Sequence, residues 1–198
     1  MSDDLQRAAE MHFERGSQFD EAGARTRAIA EWQAALDCDP AHIAARFNLA
    51  IAYAEEGNLD QAIAELREVI RHDPFDLEAR HELAALYWEA ERESEAIDQL
   101  RQILNLAPGD ADAAHQLAGI YLDQEMWDEA AGALEAGGFL EADADLWVEL
   151  GNAYEQQRRT DDAILAYRCA LAAQLDHPDA LHALERLHVP VAESDDPG

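Results

Sequence analysis

The groups of this 198-residue chain that chemistry could use are eight histidines, two cysteines and 43 acidic side chains. His81 and His115, with Glu78, Glu82 and Asp112 close by, are the residue types of a divalent-metal site. The two histidines occupy equivalent places in successive units of a repeat set out below. Such places on neighbouring packed helices are roughly 10 Å apart, a long separation for shared ligation. No metal and no other cofactor is expected. Cys38 and Cys169 lie far apart and form no metal or redox pattern, so both read as small buried or half-buried residues. The chain has no G-x-S-x-G, no H-E-x-x-H, no glycine-rich phosphate loop and no Cys/His couple, and an enzyme is not expected.

The charge is more informative. The net charge is −29, and all 14 basic residues are arginine. A surface this acidic repels phosphate backbones and anionic lipid, so neither nucleic acid nor membrane is an expected partner. It steers basic partners inward, and equally it could serve solubility alone. The opening MSDDLQRAAEMHFERG has neither a basic segment nor a signal-length apolar run, and no stretch reaches the roughly 18 apolar residues of a membrane helix. A cytoplasmic protein is expected.

The elements that must position these groups are helices in pairs. From Ala41 to Pro74, apolar residues (Phe47, Leu49, Tyr53, then Ala62, Leu66, Val69) recur at three- and four-residue intervals, the spacing of two amphipathic helices. Gly57 is suited to end the first, Asn58 or Asp60 to begin the second, and Pro74 to open the next. The unit then recurs along the chain at one constant interval. Pro40, Pro74 and Pro108 hold that spacing, as do Leu49, Leu83 and Leu117, and Tyr53, Tyr87 and Tyr121. So do Ala28, Ala62, Ala96 and Ala130, each followed four residues later by a bulky residue, Trp32, Leu66, Leu100 or Leu134.

At these columns the chain resembles the tetratricopeptide-repeat family, over roughly residues 9 to 178. The resemblance implies an all-α fold, a right-handed superhelical solenoid of antiparallel helix pairs, with about five repeats. We expect a single domain over residues 1–188, with repeats over residues 9–40, 43–74, 77–108, 111–142 and 144–178 and a capping helix over 179–188, followed by a disordered tail over 189–198. It further implies a protein or peptide partner held in a concave groove lined by first-helix residues. Helical periodicity then names that lining: Phe13 and Glu14; Phe47, Asn48, Ile51 and Glu55; His81, Glu82, Trp88 and Glu89; His115, Leu122 and Asp123; Glu149 and Asn152. None is arginine, whereas Arg25, Arg67, Arg71, Arg92, Arg101, Arg159 and Arg168 fall on second helices or turns, the expected outer face. Carboxylates around Phe47, Ile51, Trp88 and Leu122 suit a basic, partly apolar segment, so a protein-interaction scaffold or chaperone-like adaptor is expected. The alternative is self-assembly into homo-oligomers through Trp127, Phe139, Leu140 or the Phe75 region.

Two irregularities stand out. The third turn, Glu91-Arg92-Glu93-Ser94, lacks the glycine and should be less sharply specified. The second helix of the fourth unit, Trp127 to Ala136, contains Gly132 and stops at Gly137-Gly138, after which the columns resume one residue early. Gly137-Gly138-Phe139-Leu140 is therefore a candidate bend or hinge, the other reading being a tolerated deletion.

Overall fold

The computed structural model describes residues 3–138 and 144–188. Among them are eleven helices: α1 (Asp3–Glu21), α2 (Arg25–Cys38), α3 (Ile43–Glu55), α4 (Leu59–His72), α5 (Leu77–Glu89), α6 (Glu93–Leu106), α7 (Ala111–Asp123), α8 (Trp127–Ala136), α9 (Ala144–Gln156), α10 (Thr160–Ala173) and α11 (Pro178–Arg186). The chain divides into two compact units at Gln99 and Leu100, inside α6. Antiparallel hairpins α1/α2 and α3/α4, with α5 and the start of α6, build the first. Hairpins α7/α8 and α9/α10, with α11 against α10, build the second. Phe139, Leu140 and the tail from Val189 lie outside the described residues.

The repeating columns are the core. Ala28, Ala62, Ala96, Ala130 and Ala163 are all buried, as are Trp32, Leu66, Leu134 and Tyr167. Burying one such large side chain contributes roughly 1.5–3 kcal/mol. Opposite the bulky column, first helices carry a small residue whose size is matched to it. At Gly16 an added Cβ would lie 2.5 Å from the Trp32 indole, and at Gly151 2.5 Å from Tyr167. Where the bulky residue is leucine, as in Leu66 and Leu134, the small column is alanine, Ala50 and Ala118.

The turns inside the hairpins share one geometry. Gly57 N–H donates to Ala54 O and Asn58 N–H to Tyr53 O, both at 2.8 Å, the pair of bonds that closes a helix through a left-handed residue. Gly57 takes φ +75°. The third turn, which lacks glycine, is no looser: Glu91 adopts φ 57°, with Glu91 N–H on Trp88 O at 3.0 Å and Arg92 N–H on Tyr87 O at 2.8 Å. Glu125 and Arg158 do the same at φ 56° and 59°. The two hydrogen bonds and the flanking helices impose the conformation, and a side chain there bears the strain. Relieving it in Glu91→Gly is expected to raise the unfolding free energy by roughly 0.5–1 kcal/mol, read from urea denaturation.

Between hairpins the prolines are not where the sequence suggests. Pro40 and Pro74 fall in the turns three residues ahead of α3 and α5, rather than at the first helical position. The helices are opened instead by His42, Asp76 and Asp110, each one repeat on from the last, whose side chains accept the amides of Ala45, Ala79 and Ala113 at 3.2, 2.9 and 2.9 Å. Asn58 stands at the start of α4 but its side chain makes no capping bond. The proline carbonyls are used: Arg46 reaches back to Pro40 O with Nε (3.2 Å) and Nη2 (2.8 Å), and Arg80 does the same to Pro74 O at identical distances. Each guanidinium also crosses to the second helix of its own hairpin, Arg46 to Glu65 and Arg80 to Gln99. The fourth unit has Ala114 and Ala133 at these places and lacks the strap. Among the described residues only Pro178 is a true first-turn proline, at the start of α11.

Candidate functional site

The first-helix faces are built where α1 and α3 run side by side. Between them is a cleft of about 350 Å³, with Ser17, Asp20 and Glu21 from α1, Phe47, Asn48, Ile51 and Glu55 from α3, and the buried Trp32 of α2 beneath. Four expected groove residues, Phe47, Asn48, Ile51 and Glu55, are thus brought together. They share a face because positions i, i+1, i+4 and i+8 return to one side of a helix within about two turns. Phe47 is half-buried against the core, which leaves one side of its ring available. Sequence reasoning missed Trp32 as the floor. The signal was present in the pairing of Trp32 with a glycine at position 16.

The charge of this cleft differs from expectation at one point. Arg25, assigned to the outer face, opens α2 immediately after the Gly23 turn and is ion-paired to Glu55, with its Nε 3.6 Å from Asp20. The C-terminal ends of α1 and α3 meet there, and their negative dipole ends and carboxylates draw the guanidinium in. Arg25 therefore closes one end of the cleft, while Glu21 remains exposed on the α1 side.

The other expected residues lie apart from this cleft. Within the first unit, Phe13 is half-buried with its ring 4.9 Å from the His42 imidazole, and Glu14 is exposed. On α5, His81 and Glu82 are half-buried, Glu89 is exposed, and Trp88 is 53% exposed, a large apolar surface at the end of the helix. Within the second unit, His115, Asp123, Glu149 and Asn152 are exposed. Leu122, expected in the apolar strip, is only 6% exposed and offers little surface. Asn152 accepts a hydrogen bond from the buried Tyr167 hydroxyl at 2.8 Å, and Glu155 accepts from it at 2.9 Å and pairs with Arg186. Burial and the Glu155 carboxylate push the Tyr167 phenol upward, and burial with Asp128 pushes Tyr154 up to about 12. These tyrosines are structural fasteners.

No group of three or more His, Cys, Asp or Glu side chains able to hold a metal ion occurs among the described residues. Cys38 and Cys169 are free thiols, and burial pushes the Cys169 thiol upward. No described helix is long and apolar enough to cross a membrane.

Helical hairpins repeated at a constant interval, with matched small and bulky columns and an open first-helix face, define a helical-repeat binding protein. Two models of the tetratricopeptide repeat match residues 21–87 and 115–174, and the chain belongs to the tetratricopeptide-repeat family. Solved structures agree at the level of fold. A MamA crystal structure is 20% identical, with a TM-score of 0.66 over 94% of this chain and 98% of that one. YrrB, described as a TPR protein with an unusual peptide-binding site, is 21% identical, with a TM-score of 0.62 over 88% and 90%. MamA from Desulfovibrio magneticus RS-1, residues 41 to the end, is 15% identical with a TM-score of 0.61 over 90% and 99%. No curated protein matches the chain.

Proposed function

We propose that this protein is a non-enzymatic interaction scaffold or chaperone-like adaptor, and that its first-helix face holds a basic, partly apolar segment of another protein. The observation that carries this reading is the α1/α3 cleft, where Phe47 and Ile51 provide apolar surface beside Asp20, Glu21 and Glu55. A segment with alternating arginine and leucine would set its apolar side chains on Phe47 and Ile51 and meet Glu21 with a guanidinium. Trp88 extends the same kind of surface on α5 of the same unit, and large exposed aromatics are common anchors for partners. The peptide-binding site attributed to YrrB supports the class of ligand, although its identity with this chain is too low to transfer any residue. The reading includes a cytoplasmic setting, where free thiols such as Cys38 stay reduced. It also treats residues 1–188 as one domain.

The test is fluorescence anisotropy with a labelled Arg/Leu peptide. Binding is expected to weaken steeply as sodium chloride rises, and Phe47→Ala is expected to weaken it about tenfold, the loss of one well-buried contact. Binding indifferent to salt, or unchanged in both Phe47→Ala and Trp88→Ala, overturns the reading. Self-assembly is the second reading, favoured by Phe75, Leu165 and Leu175, which are 74%, 60% and 84% exposed. Of the residues first expected to mediate it, Trp127 is half-buried. Light scattering that gives a concentration-independent monomer mass removes this alternative.

A further inference from the structure

Between α4 and α6, with α5 as its floor, the first unit carries a cleft of about 470 Å³. Arg67, Arg71, Arg80 and Arg92 line it, four of only 14 arginines in a chain of net charge −29. Two of them are answered locally. Arg71 pairs with Glu68 at 2.6 Å and Arg92 with Glu95 at 2.7 Å, and both carboxyls are held below their ordinary range by those hydrogen bonds.

The other two are not. Arg67 is exposed and makes no ion pair with a described residue. Arg80 is only 9% exposed, and its hydrogen bonds go to Pro74 O and, at 3.0 Å, to Gln99 Oε1, which are neutral acceptors. One repeat earlier the same arrangement is complete: Arg46 bonds Pro40 O identically, but its second-helix partner is the carboxylate of Glu65. Replacing Glu65 by its counterpart Gln99 keeps the geometry and removes the negative charge. A guanidinium so deeply buried with only neutral partners is short of one anion.

We propose that this cleft is a second binding site, distinct from the first-helix face, that takes a short acidic segment of a partner protein. One carboxylate supplies the charge that Gln99 lacks at Arg80, and another meets Arg67. Arg67 and Arg71 stand one turn apart along α4, about 6 Å, a spacing suited to successive acidic side chains of an extended peptide rather than to one compact anion. Half-buried Ile70 gives that peptide an apolar contact, above the buried Leu83 and Tyr87. The strongly negative protein repels anions at long range, and the attraction of this cleft acts only within a Debye length, about 10 Å at 0.1 M salt. The occupant is accordingly a short segment that must make contact.

The probe is a fluorescein-labelled Glu/Leu peptide titrated with the full chain at about 0.1 M salt, where the long-range repulsion is screened and the contact is not. Saturable binding is expected. Gln99→Glu, which rebuilds the Arg46–Glu65 arrangement from within, is expected to weaken it about tenfold without lowering the melting temperature, and Arg67→Gln to weaken it severalfold, each removing a charge-assisted contact. Phe47→Ala is expected to leave it unchanged, which separates this site from the first-helix cleft. Absence of binding by the wild-type chain, or Gln99→Glu and Arg67→Gln binding as well as wild type, overturns the proposal. Inorganic phosphate displacing the peptide at equal concentration also overturns it, because the cleft would then be a simple anion site.

Discussion

Gly137→Ala is expected to destabilise the protein by about 3 kcal/mol, at the upper end of ordinary overpacking. The added Cβ would lie 2.2 Å from the Cβ of Ala114 on α7. Neither atom can move by a change of rotamer, since each is fixed to backbone, so α7 and α8 must separate. The contact sits beside a hydrogen bond from Gly109 N–H to Ala136 O at 2.8 Å, which joins the loop before α7 to the end of α8. Ala114→Gly in the Gly137→Ala background is expected to recover most of the loss, although alone it should cost about 1 kcal/mol as a glycine inside a helix. Urea denaturation followed by circular dichroism measures all four proteins. A Gly137→Ala midpoint equal to wild type would show that the helices do not approach so closely.

This result bears on how far a glycine can be read from sequence. Gly137-Gly138 reads there as a weak point, a candidate bend. In the structure Gly137 has an ordinary φ of −76° and is required for space, and only Gly138, at φ +89°, uses glycine's freedom of backbone. A sequence does not distinguish the two uses. The turn at Glu91 shows the converse, a left-handed residue with no glycine to announce it. Local preference was overridden there by two hydrogen bonds and the helices they join.

The second large effect is expected where the small and bulky columns meet. Gly16→Ala should destabilise by about 1–3 kcal/mol, because its Cβ would press into the Trp32 indole at 2.5 Å. Trp32→Leu alone should destabilise by about 2–4 kcal/mol, because it leaves a cavity against Gly16. The double variant recreates the Ala50 and Leu66 combination of the next repeat, and its loss should fall short of the sum by at least about 1 kcal/mol. Strictly additive losses in a denaturation cycle would mean that the two positions are not matched in volume.

The helices and their inward faces were legible because each column recurs and every repeat checks the others. Phe47, Asn48, Ile51 and Glu55 were legible as neighbours for the same reason, helical periodicity. Exposure was not. Trp88 and Leu122 occupy the same place in successive repeats, yet one is 53% and the other 6% exposed, since exposure depends on what packs alongside. The Arg25 pairing and the Arg46 and Arg80 straps were hidden because they join positions that no spacing rule links, and two of them end on backbone oxygens.

That last strap has a consequence for how such a chain can grow. Arg46 donates to Pro40 and Glu65, so donor and both acceptors lie within a single period of the repeat, and Arg80, Pro74 and Gln99 follow the same plan. Copying residues 40–73 in tandem would carry the whole fastening along with the hairpin it secures. A gene segment of that length is a self-contained cassette, and lengthening the protein by duplication would need no new residues to pin the added loop.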